Sequence, residues 1–432
     1  MKSIRILVPL HIMPTEKHIT TIMFENLLPE LKSQFNISIF WLVYRPEKLI
    51  DFKIPTNLGQ IIDIHDFDNC VDVINEIKPD IIYENEDRGI IDLACELAAI
   101  YLKIPVIVPI NNASINLTFS KKYQFTHLIK ILKSFFYKQS SSNSKINNHN
   151  SVKGNFYLTK FNFLLKTMKA SRVNIFKRLS FFYIIFKSML SEKPPIFSNS
   201  TNNMYRLENE NLVIPLLQKG FSKSTLYVTG NPIYDLAFKK INLFKNKNQA
   251  EKIRVLFTPL QLYENSLWSK EHQFSSIESI ISSISSNSDM ELITKLHPSS
   301  ISLSDYKNII NKFDSQVKIS QSGDILDYLS KSDVIISFPG SSTVFVYALV
   351  ARKPIILCNF YNQEKHQILE KNLAIECTNI NSLTKQIHSV ISKEQLSTQQ
   401  VDSFLQQNYF KTDGNSTKRL SDAIVDFLSR PR

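Results

Sequence analysis

The sequence predicts an α/β protein with two domains, each built around a doubly wound parallel sheet. Short apolar runs that indicate buried strands alternate with amphipathic helical segments along both halves of the chain. At 432 residues the chain is too long for one ordinary hydrophobic core, so two domains are expected. A polar, lysine-rich stretch at residues 239–252 separates the halves and is predicted to be the linker.

The predicted first domain covers residues 1–238, with an insert at about residues 115–195, and the second covers residues 253–432. Apolar runs predict strands at Ile4–Pro9, Ile37–Tyr44, Asp80–Tyr83, Pro105–Pro109, Pro195–Ser200, Leu226–Thr229, Glu291–Pro298, Val334–Ser337 and Ile355–Cys358, and one that starts at Ile253. Helical periodicity predicts helices at Ile19–Leu28, Asn69–Ile77, Ile90–Leu102, Ser275–Ser286, Asp305–Phe313, Ile380–Ile391 and Ser416–Leu428. Pro29 should end or kink the first of these helices.

Composition excludes several classes of protein. Hydrophobic residues make up 43% and charged residues 21%, which is ordinary for a globular domain. Glycine is scarce, and neither a G-x-G-x-x-G fingerprint nor a P-loop occurs, which argues against a nicotinamide enzyme or a P-loop kinase. Four widely spaced cysteines without a C-x-x-C pair predict neither a zinc site nor a disulfide framework, and they favour a reducing cytosol. No signal peptide or membrane-spanning helix is expected, because the apolar runs are too short.

The net charge of +12 is concentrated in one segment. Residues 121–193 carry 15 Lys or Arg and one acidic residue, Glu192, and basic aromatic stretches flank a polar low-complexity run at residues 140–151. Apolar faces edged by basic residues suit an anionic membrane surface or an amphiphilic acceptor. The alternative is a helical excursion that packs on its own domain and exposes lysines. Nucleic acid is not expected, because no recognition module is visible.

The stretch from Ser332 to Pro354 predicts a strand, a turn and a helix. Pro339 and Gly340 end the strand, and the next three residues are hydroxyl-bearing: Ser341, Ser342 and Thr343. A helix start presents unpaired N–H groups and a partial positive charge, so this turn suits a phosphate. The alternative is that Ser341 is only an N-cap.

A second basic site follows an earlier strand. The run E-L-I-T-K-L-H-P predicts a strand whose carboxyl-terminal tip carries Lys295, His297 and Pro298, one βα unit before the hydroxyl cluster. Ligands of parallel sheets bind outside such tips, so these residues are predicted to hold the same anion.

An acidic loop, E-N-E-D-R-G, follows a strand of the first domain. It is predicted to place Glu84, Glu86 and Asp87 at a strand tip facing a cleft, where a carboxylate can act as general base toward an acceptor hydroxyl. Asp87 is the preferred base and Glu86 the second choice. The alternative is that two of these carboxylates only cap the next helix. No D-x-D motif stands at the strand tips, so no metal is expected.

These motifs resemble known families. V-T-G-N-P-I-Y-D (Val228–Asp235) and P-D-I-I-Y-E-N-E-D-R-G are similar to segments of UDP-N-acetylglucosamine 2-epimerases. K-L-H-P followed by F-P-G-S-S-T-V-F-V-Y-A-L resembles CDP-glycerol glycerophosphotransferases, and bacterial sialyl-type CMP-sugar transferases also pair H-P with S-S or S-T. The run N-Y-F-K-T-D-G-N-S-T-K-R-L is similar to a carboxyl-terminal signature of these families. The resemblance implies the GT-B glycosyltransferase fold, which is two Rossmann-like domains facing a cleft, here with a basic helical insert in the first.

The sequence also departs from each family. The paired glutamates that epimerases carry after the phosphate turn are replaced by Val346 and Tyr347, and their acidic residue after the strand ending near Val108 is replaced by the Asn111 region. The H-G-T motif of the glycerophosphotransferases is absent, and Arg88 separates the acidic run from its glycine, unlike the sialyltransferase pattern. The missing epimerase carboxylates leave the chain short of the groups that epimerase chemistry needs, and on that ground transferase chemistry is favoured.

The sequence therefore predicts a glycosyltransferase whose substrate is a nucleotide-activated sugar, with a CMP or CDP donor favoured and UDP open. The expected acceptor is a surface polysaccharide or a lipid-linked glycan, and the expected location is the cytoplasm or the inner face of the plasma membrane. His297, assisted by Lys295, and the hydroxyl-rich helix start would stabilise charge on the departing phosphate, while Asp87 or Glu86 takes the acceptor proton. The alternatives are a 2-epimerase and a non-catalytic subunit that binds nucleotide sugars.

Overall fold

A computed structural model describes residues 1–10, 19–44, 58–85, 88–111, 148–191, 199–244, 251–263, 267–297, 300, 303–313, 318–340, 342–361, 366–392 and 397–430, with the backbone alone at residues 148–157 and 184–191. The predicted α/β class and the two doubly wound parallel sheets are confirmed. The chain forms two compact units, each described here by itself. The first comprises Met1–Ile233, Gln407–Lys411 and Asn415–Arg432, and the second comprises Tyr234–Gln406 and Thr412–Gly414.

The sheet of the first unit has seven parallel strands in the order β3-β2-β1-β4-β5-β6-β7. They are β1 (Ser3–Pro9), β2 (Asn36–Val43), β3 (Gln60–Asp63), β4 (Ile81–Tyr83), β5 (Val106–Ile110), β6 (Met204–Leu207) and β7 (Leu226–Val228). Both faces of the sheet are covered, because Ile6 of β1 lies in one apolar core and its neighbour Leu7 lies in another. The winding direction reverses between β1 and β4, which are neighbours in the sheet.

Seven helices of the described residues belong to this unit by most of their length: α1 (Ile19–Lys32), α2 (Cys70–Ile77), α3 (Ile90–Leu102), α4 (Asn148–Ala170), α5 (Ile175–Ser191), α6 (Val213–Gln218) and the last helix, described below. Of the two effects expected of Pro29, the end of α1 at this residue is wrong. The helix continues through Pro29 for three residues, and Leu28 and Leu31 on either side of it are buried in the core. Burial of these side chains outweighs the hydrogen bond that proline cannot make.

The predicted insert is helical where the structure describes it. Phe163, Leu164 and Met168 of α4 are buried in the core that also contains α2 and α3. The alternative that the insert packs on its own domain therefore holds for α4. The low-complexity run at residues 140–151 lies mostly outside the described residues, as does the basic stretch Leu128–Tyr137. No helix of the described residues is both long enough and apolar enough to cross a bilayer.

The sheet of the second unit has six parallel strands in the order β10-β9-β8-β11-β12-β13. They are β8 (Ile253–Thr258), β9 (Met290–Lys295), β10 (Lys318–Ser320), β11 (Val334–Ser337), β12 (Ile355–Cys358) and β13 (Ile375–Cys377). Its helices are α7 (Asp235–Ile241), α8 (Lys270–Ser285), α9 (Leu303–Ile310), α10 (Ile325–Lys331), α11 (Thr343–Val350), α12 (Gln367–Glu370), α13 (Leu383–Ser392) and most of α14 (Thr398–Tyr409). The winding direction reverses between β8 and β11.

The last helix, α15 (Ser416–Ser429), belongs to the first unit, although the sequence places it in the second domain. Its apolar residues recur every three or four positions, and Leu420, Ile424 and Phe427 are buried in the core that contains Met23 and Phe24 of α1. The amphipathic pattern predicts that this face of the helix is buried, but it does not predict against which domain the helix packs.

Candidate active site

The point at which a doubly wound sheet reverses direction leaves two adjacent loops that diverge to opposite faces, and ligands bind there. In the second unit this point lies between β8 and β11, whose ends are paired through Ser337 and Thr258. The Ser337 hydroxyl also donates a 2.6 Å hydrogen bond to the Thr258 carbonyl. The strand ends that carry the two candidate loops are thereby fixed to each other.

Gly340 gives the turn after β11 its shape. Its φ is +154°, and a β-carbon there would lie 2.7 Å from Leu260 Cδ1 in the loop after β8. Glycine therefore allows a backbone conformation that other residues rarely adopt and lets the two loops approach closely.

The hydroxyl cluster begins α11, but Ser342 rather than Ser341 is the N-cap. Ser342 Oγ accepts a 3.3 Å hydrogen bond from the Val344 amide, and a side-chain hydrogen bond joins Thr343 to Tyr347 one turn further on. Ser341 lies outside the described residues. The predicted helix start is thus present, and the hydroxyl proton of Ser342 can still be donated to an anion.

Lys295 ends β9 as predicted, and its ammonium group holds neighbouring backbone. Only 5% of the residue is exposed, and Nζ donates 3.0 Å hydrogen bonds to the carbonyls of Leu296 and Gln321. Nζ also lies 5.9 Å from the centre of the Tyr328 ring. Burial lowers the pKa of Lys295. The side chain therefore fixes the loop after β10 against the loop after β9.

His297 lies two residues beyond Lys295 and is exposed, whereas Pro298 lies outside the described residues. The backbone carbonyl of His297 accepts a 3.0 Å hydrogen bond from the Ser300 amide. Partial burial, and then the charge of Lys295, lower the pKa of His297 below its ordinary value. The lowered pKa favours the neutral imidazole, in which one ring nitrogen carries a hydrogen.

The structure corrects the predicted spacing of these two motifs. Two βα units, not one, separate them along the chain, because β10 and α10 lie between α9 and β11. In the sheet, β9 and β11 lie on either side of β8. His297 and the start of α11 therefore flank β8 at the carboxyl edge of one sheet.

In the first unit the reversal point places the acidic loop after β4. Glu84 is fully buried, which corrects the expectation that it faces a cleft. Arg88 Nε lies 2.6 Å from one Glu84 carboxylate oxygen, and Arg88 Nη2 lies 2.5 Å from Glu96 of α3. Burial raises the pKa of Glu84 despite the attraction of Arg88. Glu84 and Arg88 therefore have a structural role in this buried group.

Asp92 holds both flanks of the same loop. Its carboxylate accepts hydrogen bonds of 2.9 Å from the Asn85 amide and 2.8 Å from the Gly89 amide. Thr20 of α1 donates a further bond to the Asn85 side chain. Burial raises the pKa of Asp92 to about 6, although these backbone bonds act in the opposite direction. The capping role considered for the loop carboxylates thus belongs to Asp92, while Glu86 and Asp87 lie outside the described residues.

Lys160 of α4 is a titratable residue that the sequence does not single out among its many basic neighbours. Only 2% of it is exposed, and Nζ lies 5.8 Å from the centre of the Tyr44 ring. Burial lowers the pKa of Lys160 to about 7, and the charge of Asp92 acts against this shift. A lysine in this range can exchange protons at neutral pH.

Two segments that carry the family resemblance contact each other in the first unit. Arg419 of α15 donates a 2.8 Å hydrogen bond from Nε to the Thr229 carbonyl. Gly230 has a φ of +79°, and a β-carbon there would lie 2.6 Å from Ser416 Oγ. The turn after β7 therefore needs glycine so that the start of α15 can pack closely against it. The V-T-G-N-P-I-Y-D and N-Y-F-K-T-D-G-N-S-T-K-R-L segments thus both have a structural role.

Within the described residues, no group of three or more His, Cys, Asp or Glu side chains is arranged to hold a metal ion. The carboxylates after β4 are instead engaged with Arg88 and with backbone amides.

Comparison with known proteins identifies the fold. No protein-family profile and no curated protein sequence matches the chain significantly. Among solved structures it is similar to a Listeria monocytogenes protein provisionally described as a UDP-N-acetylglucosamine 2-epimerase, with TM-score 0.55 and 16% identity over 100% of this chain and 98% of that one. It is also similar to the Neisseria meningitidis UDP-GlcNAc 2-epimerase bound to UDP-GlcNAc, with TM-score 0.53 and 14% identity over 99% of this chain and all of the other.

A third similar structure is the glycosyltransferase of kitacinnamycin, with TM-score 0.53 and 11% identity over 99% of this chain and 100% of that chain. At such identities the likeness establishes the fold and not the reaction. The two parallel sheets and these matches over nearly the whole chain show that this protein has an α/β fold of the GT-B type.

The burial of Lys160 predicts a component of stability that depends on pH. In the folded protein its pKa is about 7, whereas the ordinary value is 10.5. Between these values the unfolded chain binds the extra proton, so stability rises with pH, by up to about 1.4 kcal/mol per pH unit. We expect Lys160→Met to remove this component.

The measurement is urea unfolding at pH 7.5 and pH 9.5. The chain has two tryptophans, Trp41 in the first unit and Trp268 in the second, so a Trp268→Phe background lets Trp41 fluorescence report the first unit alone. Lys169→Met, at an exposed position of the same helix, is the matched control. Equal pH dependence in the parent and in Lys160→Met would contradict the assignment.

Proposed function

We propose that this protein is a glycosyltransferase that transfers a sugar from a nucleotide-activated donor. The observation that carries the proposal is the arrangement in the second unit. The exposed imidazole of His297 and the start of α11 flank β8 at the point where the sheet reverses direction. Such a point with a helix N-terminus suits a phosphate group. The UDP-GlcNAc bound to the similar Neisseria meningitidis protein supports a nucleotide sugar as the ligand.

In the proposed mechanism, the bond between the sugar and the nucleotide phosphate breaks, and negative charge develops on the phosphate oxygens. His297 donates a hydrogen bond to that phosphate, and the amides that begin α11, with the Ser342 and Thr343 hydroxyls, provide further donors. Lys295 positions the loop that carries His297, because its ammonium group is already bonded to two carbonyls. Ser341, Pro298 and Gly340 complete the proposed phosphate site.

The acceptor hydroxyl must lose a proton as it attacks the sugar. We assign this step to Asp87, with Glu86 as the second choice. These two residues lie in sequence between Asn85 and Arg88. Asn85 is hydrogen-bonded to Thr20 through its side chain and to Asp92 through its backbone amide, and Arg88 forms an ion pair with Glu96.

The proposed donor is a CMP or CDP sugar, on the resemblance of the second half of the chain to transferases that use such donors, with UDP the alternative. The proposed acceptor is a surface polysaccharide or a lipid-linked glycan. This activity would place the protein in the cytoplasm at the inner face of the membrane, as part of cell-envelope polysaccharide synthesis.

A second candidate function is sugar-nucleotide 2-epimerisation, which the similarity to two structures described as 2-epimerases favours. Against it, the positions of the paired glutamates hold Val346, which is buried, and Tyr347, which is bonded to Thr343. Neither side chain can move a proton at carbon 2 in the way a carboxylate does. Incubation with UDP-N-acetylglucosamine alone separates the candidates, because only the epimerase forms N-acetylmannosamine products without an acceptor.

We expect cytidine nucleotides to raise the melting temperature more than other nucleotides do. Binding to the folded state alone adds about 2.7 kcal/mol when the ligand is at 100 times its Kd. A thermal-shift series with CMP, CDP, UDP, GDP and ADP at equal concentration measures this. A larger shift with UDP would transfer the proposal to a UDP donor, and no shift with any of them would remove the nucleotide site.

His297→Ala should lower the rate of donor cleavage about 10²–10³-fold, as for loss of one donor to developing charge. The rate of nucleotide release from the donor identified by the thermal-shift series is the measurement. His388→Ala is the control, because His388 is an exposed histidine on α13 away from the reversal point. Full activity of His297→Ala would exclude the proposed role of the imidazole.

Asp87→Asn should abolish most transfer to an acceptor while leaving the nucleotide-induced shift in melting temperature intact, because the carboxylate acts on the acceptor. Glu86→Gln is the matched variant and should have the smaller effect. If both variants transfer sugar at the rate of the parent, the carboxylates are not the base. If the parent shows a thermal shift and no turnover, the protein is the non-catalytic subunit considered above.

A further inference from the structure

Helix α5 of the first unit presents two different faces over residues 175–183. Phe181 and Phe182 face inward and pack against the apolar core, with the Phe182 ring 5.7 Å from Phe161 of α4. Arg178 is half-buried, and its Nε donates a 2.7 Å hydrogen bond to the Val173 carbonyl. These contacts fix the rotation of the helix about its own axis.

The opposite face is apolar and exposed. Ile175, Phe176, Leu179 and Tyr183 are 60%, 80%, 60% and 65% exposed. At about 100° of rotation per residue, these four positions fall within an arc of about 100°. Large apolar side chains aligned in this way form a continuous stripe, which in proteins marks an interaction surface.

The segment that carries this stripe has charges of one sign, because the sequence has no Asp or Glu between Glu96 and Glu192. Three basic residues close to the stripe in sequence, Lys169, Arg172 and Lys177, are exposed, whereas Lys166 pairs with Asp68 of another segment at 2.8 Å. A partner that carries negative charge and accepts apolar side chains therefore suits this surface.

We propose that the outer face of α5 is a docking surface for an anionic lipid bilayer, with the helix lying in the plane of the interface. An amphipathic helix with aromatic and aliphatic residues on one side and basic residues at its edges has this mode of binding. Apolar insertion and attraction to anionic headgroups each give weak attachment, and together they hold a protein at the surface.

This inference deepens the proposed function by naming the surface through which the enzyme meets a lipid-linked acceptor, and in that respect it rests on that function. Binding to lipid requires no catalysis, so the two can fail separately. Donor cleavage in solution without vesicle binding removes the docking surface alone, and vesicle binding without donor cleavage removes the proposed enzyme alone.

The test is flotation of the full chain with vesicles of phosphatidylcholine alone and with vesicles in which about a third of the lipid is phosphatidylglycerol, whose negative charge attracts basic residues. We expect flotation with the anionic vesicles, little with the neutral ones, and release when the salt concentration is raised, since added salt screens the headgroup charge.

Two variants separate the contributions. Phe176→Ser combined with Leu179→Ser should lower partition into anionic vesicles at least about tenfold, because two exposed apolar side chains no longer insert. Arg172→Glu combined with Lys177→Glu should lower it by a similar factor and abolish its dependence on salt. Both variants change exposed positions, and both should cleave the donor in solution at the rate of the parent.

The matched controls are Ile214→Ser combined with Leu243→Ser, at positions 65% and 79% exposed, and Lys385→Glu, at an exposed position of α13. They should bind vesicles as the parent does. Equal flotation with neutral and anionic vesicles, or equal loss in the controls, would overturn the proposal. So would a parent that sediments as a dimer, ignores vesicles and becomes a monomer on Phe176→Ser and Leu179→Ser, since the stripe would then be a protein interface.

Discussion

The structure depends on a constraint of parallel sheets: all strands deliver their carboxyl ends to the same edge. Polar residues that are far apart in sequence therefore come together wherever they follow strands, and the reversal of winding leaves room for them at one place in each sheet. In the first unit that place follows β1 and β4, and in the second it follows β8 and β11. Every residue proposed for chemistry here comes after a strand, so the same constraint selects the site and limits which side chains can reach it.

Long elements with strong periodicity were predictable. The helix at Ile90–Leu102 has the same bounds in sequence and structure, because its apolar positions are nearly continuous and a glycine precedes it. The strands β3, β6, β10 and β13 were missed, since runs of three or four residues carry too little pattern to distinguish them from loops. The strand expected at Pro195–Ser200 lies mostly outside the described residues, and β6 begins after it. The missed strand β10 is also the reason that the spacing between the two phosphate motifs was misjudged.

The residue types of the candidate site were predictable, but the use of each side chain was not. Lys295 and Ser342 occupy the expected strand tip and helix start, yet one holds two carbonyls and the other caps its own helix. In the sequence, Glu84 and Asp87 are carboxylates of the same acidic run, and only the structure shows that Glu84 is buried beside Arg88. Lys160 carried no signal at all, because its burial arises from packing of α4 on elements distant in sequence.

The buried group around Arg88 explains how the end of β4 and helix α3 are held together in the first unit. Taking a guanidinium and its carboxylate partners out of water is costly, and the cost is offset only when the partners are close and hydrogen-bonded. Glu84 at the end of β4 and Glu96 on the second turn of α3 meet this requirement from both sides of Arg88. The sheet and the helix that follows it are thereby joined across the loop, independently of any ligand.

The return of α15 to the first unit has a consequence for synthesis of the chain. Ribosomes release the amino terminus first, and domains ordinarily fold as they emerge. Here the side chains of Leu420, Ala423, Ile424, Phe427 and Leu428 complete a core whose other buried members lie within the first 204 residues. Until α15 has been synthesised, that core lacks these side chains and the apolar surface that they cover is exposed. The nascent chain therefore carries an incomplete core in its first unit while the second unit, Tyr234–Gln406, is being made.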